Sequence, residues 1–135
     1  MRAKVFVDTN VVLYMLSQDA RQAEIARGLM ATRPHISVQV LNEVTSVARR
    51  KLAMPWREVD VFLQLVRGLC PVVPLTVESH DLGRVIAGRY ALSVYDAMIV
   101  SSALLGGCET LYSEDMQDGL HIENALTVVN PFAGR

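Results

Sequence analysis

The sequence predicts a single α/β domain with a mainly parallel sheet and helices on both faces. Three observations predict it. The 135 residues suit one hydrophobic core, since a chain of this size buries roughly two-thirds of the surface its unfolded form exposes. Apolar periodicity switches repeatedly between short β-rich runs and longer helical ones. No repeat, low-complexity stretch or linker interrupts that alternation, and strands separated by helices pair in parallel.

Taken in order, Lys4 to Val7 reads as a strand, residues 9–17 and 20–32 as helices, and His35 to Ser37 as a short second strand. Helices follow at about 39–52 and 55–69; Pro55 opens the second, where its missing amide hydrogen costs nothing. Val72 and Val73 form a strand between two prolines. Thr76 caps a helix running to about Tyr90, and Ser93 caps another that stops at Gly106 and Gly107. Leu111 with Tyr112, and then Thr127 to Val129, supply the last strands.

Composition narrows the function classes. Apolar residues make up 51% and charged residues 20%, which excludes a disordered chain. The longest apolar run, Val11 to Leu16, is too short to span a bilayer, and the N-terminus lacks the layout of a signal peptide; a cytoplasmic protein without membrane attachment is expected. Cys70 and Cys108 show no CxxC or zinc-site spacing and read as small core residues. His35, His80 and His121 are scattered without ligand spacing. The net charge of −1 argues at first sight against a polyanionic partner. A bound dication inverts that local field, however, so the total does not exclude one.

Four acids stand where a carboxylate is awkward without a cation: Asp8 in VFVDTN, Glu43 in VLNEV, Asp96 in SVYDAMIV and Asp115 in LYSEDMQDG. Each also has a bland reading. Asp8 could cap the helix it precedes, although Thr9 or Asn10 could do so instead. Glu43 borders the apolar stripe of Val40, Val44, Val47 and Ala48 and could snorkel to water. Asp96 could complete a capping box with Ser93, yet it also heads the stripe Ile99, Val100 and Ala103, so it should face a crevice. Asp115 shares its loop with Glu114 and Asp118, and the sequence does not say which of the three points inward. Asp8 and Asp115 both follow strands, at the carboxyl edge where α/β sheets bind ligands. Two like charges about 4 Å apart repel by roughly 4 kcal/mol at an intermediate dielectric, so converging carboxylates must take up protons or cations. All-oxygen ligation favours Mg²⁺ or Mn²⁺ over zinc.

VFVDTNVVLYML, mid-helix Asn42-Glu43, Tyr95-Asp96-Ala97, Ser113-x-Asp115 and the closing Asn130-Pro131-Phe132 resemble the PIN domain, particularly the VapC-type ribonuclease toxins of bacterial toxin–antitoxin pairs. The resemblance covers nearly the whole chain. It implies a three-layer α/β/α sandwich and a metal-dependent endoribonuclease inhibited by a small cognate antitoxin, commonly as a homodimer. By position, Asp8, Glu43, Asp96 and Asp115 are the acidic quartet; Asp8, Asp96 and Asp115 hold the metal, with Thr9, Asn10 and Ser113 in support. The expected chemistry is in-line attack of metal-activated water on an RNA phosphodiester, leaving 5′-phosphate and 3′-hydroxyl ends.

Substrate phosphates need basic partners, and Arg49, Arg50 and Lys51 follow Glu43 on its helix, with Arg84 and Arg89 on a later one. A solvated helix end complementing its dipole is the plainer account of the first three. Exposed parts of Val11 to Leu16, with Leu29 and Met30, could form an apolar groove for an antitoxin helix. Three other functions compete with a ribonuclease. A phosphoacceptor receiver domain would want further acids before Asp8, and residues 1–6 supply none. A structure-specific DNA nuclease would want room for a substrate clamp. A weakly catalytic PIN subunit serving mainly as an interaction or repressor-complex partner is the alternative from the binding class.

Overall fold

A computed structural model describes residues 3–134. Six strands and six helices make up the described chain, the helices in pairs between single strands and the last three strands consecutive: β1 (Val5–Val7), α1 (Thr9–Tyr14), α2 (Ala20–Ala31), β2 (Ile36–Ser37), α3 (Val38–Arg50), α4 (Trp56–Leu69), β3 (Val72–Val73), α5 (Val77–Tyr90), α6 (Val94–Leu105), β4 (Thr110–Tyr112), β5 (His121–Ile122) and β6 (Leu126–Val129). The result is a three-layer α/β/α sandwich around a mainly parallel sheet.

Strand order is β1-β4-β6-β5, with β1-β4 and β4-β6 parallel and β5-β6 antiparallel. β2 and β3 pair in parallel as a separate ribbon. A parallel bridge between Phe6 and His35 joins the ribbon to β1, the His35 N–H donating to the Val5 carbonyl at 2.8 Å. The central strands are covered on both sides: Phe6, Val7, Leu111 and Val128 are wholly buried. Such strands read as continuous apolar runs.

Local chemistry sets most boundaries where the sequence places them. Thr76 and Ser79 form a reciprocal capping box at α5, and Ser93 accepts from the Asp96 amide at 3.1 Å. Gly107, at φ 74°, turns the chain out of α6 into β4. Four expectations change. α1 ends at Tyr14 instead of residue 17, because Asp19 caps α2 and the chain must turn before it. α3 starts at once from β2, since the Ser37 side chain accepts from the Val40 amide at 3.2 Å. Pro55 is the residue before the first turn of α4 rather than in it. β5, absent from the sequence reading, is an antiparallel edge made by a tight hairpin whose Glu123 and Asn124 both take positive φ. Cys70 and Cys108 are buried thiols, as expected, and burial pushes both up to about 11.

Candidate active site

The pairing of β1 with β4 brings two distant segments together at the carboxyl edge of the sheet. Val7 lies opposite Tyr112, so the next residues, Asp8 and Ser113, meet. The Asp8 amide donates to the Tyr112 carbonyl at 3.0 Å, and the Ser113 hydroxyl donates to Asp8 Oδ2 at 2.7 Å. Ser113 is fully buried and Asp8 is 2% exposed. Asp8 is itself the cap of α1, its Oδ1 accepting from the Thr9 amide at 2.7 Å; neither Thr9 nor Asn10 replaces it. Capping takes one of its oxygens, while Oδ2 faces Ser113 and Asn10.

The remaining acids come from three other elements. Glu43, near the middle of α3, accepts from the Thr9 hydroxyl and from Gln39 Nε2, each at 2.9 Å. Asp96 sits in the first turn of α6 above wholly buried Ile99, Val100 and Ala103. Asp115 lies beyond β4, with Asn10 Nδ2 donating to its Oδ2 at 3.1 Å and its amide donating to Ser113 Oγ at 3.2 Å. Glu43, Asp96 and Asp115 line one pocket of about 720 Å³ with Thr9, Asn10 and Tyr95, and Asp8 lies beneath it.

Carboxylates gathered in this way are electrostatically unfavourable. Burial pushes the Asp8 carboxyl up to about 7 against hydrogen bonds from Ser113 and Thr9, with the Asp96 and Asp115 charges adding to the rise. Burial also raises Asp96, helped by Asp115 and Glu43 and opposed by Ser93. Among the described residues no Lys, Arg or His makes an ion pair with any of the four. No three Asp, Glu, His or Cys side chains among the described residues converge tightly enough to enclose an ion. Mg²⁺ gives up water reluctantly and is commonly held by one or two carboxylates and its own waters. The all-oxygen donor set and the unpaired buried charge fit the same ion.

The basic residues divide. Arg50 and Lys51 line the same pocket as the acids. Arg49 does not: its guanidinium stacks on Trp56 at 4.6 Å from the ring centroid and donates to the Met54 carbonyl at 2.9 Å. Arg84 pairs with Asp81 at 3.1 Å, and Arg89 pairs with Glu123, so neither points phosphate-binding charge at this site.

The expected apolar groove is also redistributed. Val11, Val12 and Met30 are core residues, and Leu29 packs against the core. Two adjoining hollows, about 390 and 380 Å³, share Leu16, Phe62 and Leu65, so the second wall is α4. Val61 and Leu65 on that helix are 63% and 55% exposed.

The PIN family model matches residues 5–117, a span that includes all four acids. The chain belongs to the PIN domain family. Its fold is similar to that of a toxin–antitoxin complex from Klebsiella pneumoniae, at 19% identity over 96% of this chain and 98% of that one, with a TM-score of 0.71. It is also similar to Mycobacterium tuberculosis VapC20, a sarcin–ricin loop cleaving toxin, at 18% identity over 83% and 90% with a TM-score of 0.66. DNA-bound VapBC from Salmonella typhimurium gives 19% identity, 96% and 99% coverage and a TM-score of 0.67. Comparison with curated proteins gives no match.

Two contributors to the candidate PIN site, Gln39 and Tyr14, are not singled out by the sequence. Gln39 braces Glu43 from one turn earlier on α3, an i,i+4 relation visible in the sequence once Glu43 is singled out. Tyr14 and Glu114 are hydrogen-bonded to each other across 100 residues of sequence, which no local pattern reveals. Glu114 is thereby held away from the pocket, and Asp118 accepts from the Asn130 amide at 2.9 Å, leaving Asp115 as the loop acid that faces it.

Proposed function

We propose that this PIN domain is a divalent-metal-dependent endoribonuclease and the toxin of a toxin–antitoxin pair, working in the cytoplasm. The observation that carries the reading is a set of four carboxylates from four separate segments without a paired cation, three lining one pocket and Asp8 buried beside it, in a pocket that Arg50 and Lys51 also line. Buried charge of this kind lowers stability and persists where a ligand compensates it.

Asp8, Asp96 and Asp115 would hold Mg²⁺ or Mn²⁺. The metal, when bound, lowers the pKa of water and offsets charge building on phosphate oxygens. Glu43, fixed by Thr9 and Gln39, accepts the proton of the attacking water, and its two partners keep the carboxylate from swinging away. Ser113 and Asn10 set the Asp8 and Asp115 carboxylates by hydrogen bonds. Arg50 and Lys51 bind flanking phosphates and orient the strand. The water oxygen bonds to phosphorus while the bond from phosphorus to O3′ breaks. The phosphate stays on the 5′ end of the downstream fragment, and O3′ leaves as a hydroxyl after taking up a proton. No 2′-hydroxyl takes part.

The exposed groove between α1, α2 and α4 suits an amphipathic antitoxin helix with apolar anchors against Leu16, Phe62 and Leu65. A homodimer would use the face bearing Leu75, Val77 and Val94, which adjoins the pocket through Gln39 and Tyr95. Among the described residues no helix is long and apolar enough to cross a membrane.

The decisive experiment incubates the protein with RNA and with single-stranded DNA, in Mg²⁺ or EDTA, beside Asp8→Asn and Asp96→Asn. RNA cleavage that needs Mg²⁺ and is lost in both variants is expected. Equal cleavage by variants and wild type, or a 2′,3′-cyclic phosphate product, would sink the proposal.

A further inference from the structure

Glu114 and Asp115 are adjacent acids in the loop beyond β4, and their side chains take opposite courses. Asp115 lines the pocket; Glu114 is half-buried and turned to α1, where the Tyr14 hydroxyl donates to its carboxylate. Asn10 lies one helical turn before Tyr14 and grips the same two residues. Its Oδ1 accepts from the Glu114 amide at 3.2 Å while its Nδ2 donates to Asp115 Oδ2 at 3.1 Å. Tyr14 is in turn fixed by Phe132, the two rings meeting edge to face at 4.6 Å. Phe132 is held by Asn130 Oδ1, which accepts from its amide at 2.9 Å.

We propose that Tyr14 is a positioning residue for the metal site: by holding the Glu114 carboxylate on the α1 side, it fixes the peptide that turns Asp115 into the pocket. Asp115 is solvent-exposed and has few packing contacts of its own to settle its direction. Beside the direct hydrogen bond from Asn10 Nδ2, its orientation rests on the loop backbone, which is gripped at Glu114 from both ends, the amide by Asn10 and the carboxylate by Tyr14. The same contact keeps an extra negative charge out of a pocket that already concentrates four. Groups that orient a metal-binding side chain commonly change affinity 10- to 100-fold when removed.

The inference rests on the metal-site reading above and is tested by Mn²⁺ binding, measured by calorimetry and by electron paramagnetic resonance, without RNA. Tyr14→Phe keeps the ring against Phe132 and deletes only the hydroxyl; binding about tenfold weaker is expected. Glu114→Ala should weaken it to a similar degree, and the double variant should be no worse than either single one. Glu114→Gln retains an oxygen that accepts from Tyr14 and should bind within about twofold of wild type. Asp115→Asn serves as the reference for loss of a ligand, and thermal melts in EDTA check that each variant is folded. If Tyr14→Phe and Glu114→Ala bind as wild type does while Asp115→Asn is impaired, the positioning role is wrong and the metal site stands. If Glu114→Gln falls to the level of Asp115→Asn, Glu114 is itself a ligand and the proposal is overturned. Wild-type protein that binds no Mn²⁺ removes the metal site and this inference with it.

Discussion

Carboxylates at two places in this molecule have opposite fates. Glu123, in the β5–β6 hairpin, accepts two hydrogen bonds from the Arg89 guanidinium, at 2.5 and 2.7 Å, and one from the Tyr90 hydroxyl at 2.9 Å. Its carboxyl is held below the usual range by those hydrogen bonds. Asp8, at the carboxyl edge of β1, has no cation and is driven the other way, chiefly by burial. One acid fastens a hairpin to the end of α5; the other carries an unmet charge that folding alone would not select. The contrast separates a region that holds itself together from the acidic edge to which the proposed nuclease function is assigned.

The largest expected effect attacks that contrast directly. Asp8→Asn should lower Mg²⁺-dependent RNA cleavage by about 10²–10³ or more, because metal-borne stabilisation amounts to several kcal/mol. In EDTA the same variant should be more stable than wild type near pH 8. The sign follows from the raised carboxyl: a folded-state value of about 7 against an ordinary 3.8 means the folded form favours the proton. That stability is complete below about pH 4 and is lost as pH climbs through 7. Three units correspond to a ceiling on the order of 4 kcal/mol. Urea unfolding in EDTA at pH 5 and pH 8 measures it; a wild-type slope that persists in Asp8→Asn would assign the effect elsewhere.

A smaller effect is expected on the basic side of the pocket. Arg50→Ala and Lys51→Ala should each weaken RNA binding several-fold and reduce the salt slope by roughly one unit or less, whereas Arg49→Ala should leave the slope unchanged because its guanidinium lies on Trp56. Filter binding over a salt series distinguishes them. In the groove, Leu65→Glu should abolish inhibition by a cognate antitoxin with cleavage intact, as a charge placed among apolar anchors leaves an unpaired ion in the interface. The smallest effect belongs to the hairpin. Glu123→Gln should lower the melting temperature slightly and leave cleavage untouched, since the ion pair is exposed and screened.

The sequence made parts of both regions legible. Caps at Thr76 and Ser93 were readable because the groups that satisfy them lie within three residues. The alternation of strand and helix was readable from period alone, and the family likeness from short motifs in a fixed order. β5 was not, because two residues carry no period and the hairpin depends on positive φ at Glu123 and Asn124, residues that do not advertise it. Within the site, Asp96 announced itself through the buried stripe below it. The choice among Glu114, Asp115 and Asp118 could not be read locally, since it depends on Tyr14, Asn10 and the Asn130 amide, all distant in the chain or beyond the loop. Arg49 misled for the same reason: Trp56, which claims it, stands past the end of its helix.

The position of β4 between β1 and β6 has a consequence for how the molecule comes into being. During synthesis β1 emerges about a hundred residues before β4, its partner in the sheet, and closing so long a loop is entropically slow. A nascent chain stopped before residue 110 offers Asp8 neither the Tyr112 carbonyl nor the Ser113 hydroxyl, and has no Asp115 at all. Truncated or half-made copies are therefore inert at this edge, and the clustered charge is assembled only when the rest of the sheet is ready to bear it.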